Sequence, residues 1–141
     1  MIHVSKNLYR SARPKDLRIT QADGIKTIIS LETGLYQLVT DTLREHQFPV
    51  DFGIDYYDLN CSVVTAPKKW QVEKFLEIVD KRAMTLVNCL TGCDRTGYMC
   101  AAYRMQRDGW SYEQAHKEWI DLGRHIIYAP WSEDLKEWEK K

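Results

Sequence analysis

No stretch constrains this chain more than Thr85 to Gly97, which reads Thr-Leu-Val-Asn-Cys-Leu-Thr-Gly-Cys-Asp-Arg-Thr-Gly. Met84 to Val87 is a short apolar run with a β-branched residue, the pattern of a buried strand. Asn88 to Asp94 is a small turn containing Gly92. From Arg95 the spacing of Met99, Ala102, Tyr103 and Met105 predicts a helix. A cysteine therefore sits where a buried strand ends, and an arginine six positions later opens a helix. That arrangement gathers backbone N–H groups around Cys89 and points a helix N-terminus at it.

Such surroundings set the chemistry. An ordinary thiol titrates near ~8.5, whereas helix N-termini and nearby cations bring it to roughly 3.5–7.5. The loop amides, the helix dipole and Arg95 all favour negative charge at this point. A cradle that holds a thiolate also suits the oxygens of a phosphoryl group, with Arg95 as a planar, bidentate clamp. One loop thus supplies a nucleophile and an oxyanion site.

The rest of the chain reads as alternating strands and helices. Ile2 to Val4 and Leu8 to Arg10 read as a small entry hairpin or edge with Ser5-Lys6-Asn7 as the turn, and Pro14 to Asp23 as a short helix closed by Gly24. Ile25 to Leu31 is a β-branched strand, Tyr36 to His46 a helix, and Ile54 to Asn60 a strand. Thr65-Ala66-Pro67 starts a helix whose buried stripe is Val72, Phe75, Leu76 and Val79. After the helix from Arg95, Ser111 and Gln114 form a capping box. Ala115, Trp119 and Leu122 face inward beyond it, and a last short helix follows Ser132 with Leu135 and Trp138 packing. The expected fold is a single α/β domain over residues 1–141. A mostly parallel central sheet has helices on both faces, with the Cys89 loop between a central strand and a helix. Ligands on such sheets bind at the strand C-termini, where that loop lies.

Composition narrows the partners. Twenty Lys and Arg balance twenty Asp and Glu, so nothing indicates general affinity for nucleic acid or anionic membrane. No apolar run is long enough to span a bilayer, and the first residues lack a signal-peptide pattern. Four cysteines in that setting suggest a reducing, cytoplasmic location. Cys89 and Cys93 lack zinc-finger spacing, so no metal and no cofactor is expected. Arg10, by the general habit of arginine, is expected to pair with buried carboxylates.

Val-Asn-Cys-Leu-Thr-Gly-Cys-Asp-Arg-Thr-Gly resembles the Cys-x5-Arg signature of the protein tyrosine phosphatase superfamily. Most similar are its small dual-specificity-like members whose loop contains Asp-Arg-Thr-Gly. Leu8-Tyr9-Arg10-Ser11, Tyr103-Arg104 and Gly109-Trp110-Ser111 extend the likeness outward. The resemblance implies a metal-independent phosphomonoesterase in which Cys89 attacks phosphorus and carries a transient phospho-cysteine. It implies that the loop from Leu90 through Thr91, Gly92, Cys93 and Asp94 to Arg95 binds the phosphoryl oxygens. Thr96 would hydrogen-bond the Cys89 sulfur. The substrate would be a phosphotyrosine or mixed phosphoprotein, handled by a monomer.

Two departures from the family pattern matter. Asn88 stands where histidine is usual, keeping a hydrogen-bond donor without a cationic form. The segment Cys61 to Pro67, where the family carries its general-acid aspartate, has no carboxylate. Asp94 is the preferred substitute, because myotubularin-like lipid phosphatases with a similar Asp-Arg pair are thought to use that aspartate. Asp58, at the end of the preceding strand, is the alternative. An inositol phosphate or phosphoinositide phosphatase, and a non-catalytic phosphate-binding module, are the competing functions. Cys93 could resolve an oxidised Cys89, and Lys68, Lys69, Arg124 and His125 could rim the pocket, though a solvated surface is the plainer role.

Overall fold

A computed structural model describes residues 1–33 and 47–140. Five strands form one sheet: β1 (Ile2–Ser5), β2 (Leu8–Ser11), β3 (Thr27–Ser30), β4 (Asp55–Asp58) and β5 (Thr85–Asn88). Their spatial order is β1-β2-β5-β3-β4. β1 and β2 are the antiparallel hairpin, and every other pairing is parallel. The last strand in sequence is therefore the central one, with a parallel neighbour on each side. Among the described residues the helices are α1 (Leu17–Ala22), α2 (Lys69–Lys81), α3 (Arg95–Arg107), α4 (Tyr112–Asp121) and α5 (Ser132–Leu135). None is long and apolar enough to cross a membrane.

Strand alternation divides the core in two. Ile28 and Leu86 pair in register and pack with Leu17, Ile25 and Ile54 on the face that carries α1. Ile29 and Val87, one residue on, turn the other way. There they meet Leu8, Val72 and Phe75 of α2, Met99 and Ala102 of α3, and Trp119 of α4. Both faces are thus covered by helix, and the sheet is mostly parallel as expected.

Several boundaries move for identifiable reasons. Asp16 caps α1 by accepting from Arg18 N at 2.9 Å, so the helix begins at Leu17, not Pro14. β3 is shorter than Ile25 to Leu31, although both of those residues are buried. β4 stops at Asp58, whose carboxylate accepts from Asn60 N and turns the chain. α2 starts at Lys69, because the Gln71 side chain reaches back to Lys68 N at 2.8 Å. The Ser111–Gln114 capping box forms as expected, but Leu122 lies past the end of α4 and is only half-buried. The helix expected over 36–46 falls outside the described residues.

Candidate active site

Residues 89–94 leave the C-terminal end of central β5 between the ends of β2 and β3, and both neighbours hold them. Leu31 N donates to Asn88 O at 2.8 Å, and Arg13 N donates to Leu90 O at 3.2 Å. Gly92 has φ +76°, and a Cβ there would lie 2.5 Å from Ala12 N and from Ser11 C. Only glycine lets the loop press this closely on the end of β2.

Arg10 corrects an expectation. Its side chain shares the face of Val87 and is buried, yet it pairs with no carboxylate among the described residues. Instead its Nη2 donates to Gly92 O at 2.8 Å. The buried carboxylate of Glu32 is paired with Arg13 at 2.7 Å. Gly97, in the first turn of α3, provides the space for this arrangement. A Cβ there would collide with the Trp119 ring and come within 3.3 Å of Arg10 Nη2. Trp119 Nε1 in turn donates to Asp94 O at 3.1 Å.

Above the loop lies a cavity of about 300 Å³. Cys89, Leu90, Thr91, Asp94 and Arg95 form its floor and one wall; Val63, His125, Ile127 and Tyr128 form the rest. Cys89 is 2% exposed. The Arg95 guanidinium is anchored through Nη1 to Leu31 O at 3.0 Å and Cys61 O at 3.1 Å. Its Nε and Nη2 take no hydrogen bond among the described residues, which leaves an unspent donor edge on a residue that shares the cavity with Cys89. A buried sulfur, a fixed guanidinium and a helix N-terminus on one small cavity can hold a tetrahedral oxyanion and attack its centre.

The other expected site residues separate. Gly92 and Cys93 do not line the cavity. Cys93 Sγ sits 3.6 Å from Thr91 O and packs against Gly123. Thr96 Oγ1 is buried with no hydrogen-bond partner among the described residues, so the implied bond to the Cys89 sulfur is not made here. Asn88 keeps the predicted donor role weakly, with Nδ2 at 3.4 Å from Cys89 O. Asp58 lines a different groove with Trp70 and Glu73. Burial, with some help from the Glu32 charge, raises its carboxyl above the usual range. Lys68 and Lys69 border a third groove with Tyr98 and Trp138. Arg124 stacks over Trp119 at 5.1 Å and meets His116 Nε2 at 3.1 Å. Burial pushes the Cys61 thiol up to about 12 and Cys100 to about 11, marking both as inert packing groups.

Asp94 does reach the cavity, but with a partner. Its Oδ1 accepts from His125 N and its Oδ2 meets His125 Nδ1, each at 2.7 Å. Sequence reading placed His125 no closer than the rim. The available signal was weak: a Gly-Arg-His turn directly after an amphipathic helix. A second feature went unread. Val63, Leu90 and Ile127 are exposed, Ile127 at 75%, and give the cavity an apolar border.

A family model described as polymorphic toxin system, DSP-PTPase phosphatase, matches residues 4–109, from β1 through α3. Three solved structures share the architecture. The core catalytic domain of the PP-IP phosphatase Siw14 from S. cerevisiae, bound to citrate, is 22% identical with a TM-score of 0.70, over 93% of this chain and 82% of its own. Tk-PTP in its active form is 18% identical with a TM-score of 0.72, over 96% and 95%. TpbA from P. aeruginosa is 19% identical with a TM-score of 0.67, over 97% and 92%. A comparison with curated proteins gives no match.

Proposed function

The chain belongs to the DSP-PTPase phosphatases of polymorphic toxin systems, and from that premise we propose that it hydrolyses aryl phosphomonoesters, phosphotyrosine foremost, through a phospho-cysteine on Cys89. The observation that carries this reading is the pairing of a buried thiol with an anchored Arg95 on one cavity. Arg95 Nε and Nη2, with the amides of residues 90–95, bind the three non-bridging oxygens. Cys89 Sγ attacks phosphorus in line, the S–P bond forms as the ester P–O bond breaks, and water later releases phosphate. No metal is needed, because arginine and oriented amides supply the positive field.

The border of the cavity supports an aryl monoester over a polyphosphate. Among the described residues, Arg95 and His125 are the basic side chains lining it, whereas Val63, Leu90 and Ile127 present apolar surface at the opening. Siw14 is a PP-IP phosphatase; a site for a polyphosphate calls for several cations around the mouth. The four thiols are all free, which suits a reducing compartment such as the cytoplasm.

The test sets a phosphotyrosine peptide against an inositol polyphosphate, at equal concentration, for wild type and Cys89→Ser. Turnover of the peptide, lost in Cys89→Ser, with a phosphoryl adduct trapped on the wild-type protein by acid quench, is expected. Preference for the inositol polyphosphate would reverse the substrate assignment. Tight vanadate binding without turnover of either would make the domain a phosphate-binding module.

A further inference from the structure

The proposed reaction still requires a proton for the ester oxygen as it departs. Asp94 lines the cavity, but both of its oxygens are engaged by His125, Oδ1 accepting from its backbone N–H and Oδ2 facing Nδ1. Accepting is the role of an ionised carboxylate; a protonated one must donate from one of those oxygens. His125 fits the requirement.

On the reading that Cys89 is the nucleophile, we infer that His125 Nε2 is the proton donor to the leaving group and that Asp94 positions its ring. The backbone N–H and Nδ1 of His125 both engage Asp94, which fastens the residue at two points and fixes Nδ1 as the donating nitrogen. Nε2 is then the working edge of the ring. Depth places it correctly. Cys89 is 2% exposed at the cavity floor, whereas the His125 side chain is 58% exposed at the mouth. In-line displacement directs the leaving oxygen away from the sulfur, and so toward the mouth. Among the described residues, the charged or titratable groups that share the cavity with the ring are Asp94, Arg95, Cys89 and Tyr128; neighbouring Arg124 is turned to His116 and the Trp119 face.

The protons and electrons balance. As the thiolate forms the S–P bond, the ester oxygen leaves with the P–O electron pair and takes the proton from Nε2 of the imidazolium. The neutral ring keeps its Nδ1–H on Asp94. In the second step Nε2 removes a proton from water as that water attacks phosphorus. The S–P bond breaks, thiolate returns and the imidazolium is restored. The aspartate that sequence suggested as the acid becomes the group that orients the acid.

The experiment compares kcat/KM for 4-nitrophenyl phosphate, whose leaving group needs little help, with phenyl phosphate, whose leaving group needs a proton. His125→Gln is expected to raise the ratio between the two substrates by roughly 10²–10⁴, the usual worth of a general acid. Asp94→Asn is expected to raise it less, because the ring is kept but disoriented. An unchanged ratio in His125→Gln, with a wild-type melting curve, would overturn the assignment. So would a larger rise in Asp94→Asn than in both His125→Gln and His125→Asn, which would return the acid to Asp94. Cys89→Ser separates the two readings. If it retains activity, the nucleophile is wrong; if it is inactive while the His125 ratio stays flat, only the donor is wrong.

Discussion

Replacing Gly92 with alanine asks how tightly the loop is pressed onto the sheet. Two costs arise. At φ +76° an L side chain occupies the left-handed region, which costs about 1–2 kcal/mol. The added methyl would also lie 2.5 Å from Ala12 N and Ser11 C and 2.6 Å from Ser11 O. Those atoms are backbone at the end of β2, so they cannot swing aside, and overpacking of this kind costs about 1–3 kcal/mol. Together Gly92→Ala should destabilise the fold by about 2–5 kcal/mol, a large part of the ~5–15 kcal/mol a domain has. Gly109→Ala is the control. It has φ +72° but nothing within 4 Å of its Cβ, so it bears the dihedral cost alone. Urea titrations of both variants at one pH give the difference directly. Vanadate affinity should also fall in Gly92→Ala and hold in Gly109→Ala. If the two variants unfold within about 0.5 kcal/mol of each other, the loop does not rest on β2 as described.

Iodoacetamide at neutral pH should leave Cys61 and Cys100 unmodified in the native protein, since burial raises both thiols; mass spectrometry of digests reads this. The same two groups make folding sensitive to alkali. Unfolded thiols ionise from about pH 8.5, while the folded ones hold their protons to about 11 and 12. The protonated native state therefore loses stability as pH rises through that window, and urea midpoints should fall. Arg13→Met breaks the 2.7 Å pair with Glu32, whose side chain is 1% exposed. It should cost about 3 kcal/mol by chemical denaturation. Ser111→Ala removes the side-chain acceptor of Gln114 N at 3.2 Å and should lower stability by about 1 kcal/mol, read as a shifted denaturation midpoint.

What was legible in the sequence was local. The strand, the Gly92 turn and the helix from Arg95 are contiguous, so periodicity and turn chemistry sufficed to place Cys89 at a strand end beside a helix N-terminus. The hairpin and the Ser111 cap could be read for the same reason. What failed was long-range. Asp94 and His125 are separated by the whole of α3 and α4, and nothing near either residue announces the other. Arg10 was assigned by the average behaviour of arginine, whereas its register beside Val87 aims it at a carbonyl 82 residues away. Asp58 lies on an edge strand, where a carboxylate is ordinary protection of an open sheet edge, and it lines a groove away from Cys89. The apolar border of the cavity comes from two distant positions, Val63 and Ile127, which only the fold brings around Leu90.

The anchoring of Arg95 has a consequence for how this chain can vary. Its two acceptors are the main-chain oxygens of Leu31 and Cys61, groups that every amino acid possesses. The identities of residues 31 and 61 can therefore drift, within the limits of core packing, without disturbing the orientation of the guanidinium. Inserting or deleting a residue just before either position would move the oxygen itself. The clamp is thus tolerant of substitution and intolerant of changes in chain length.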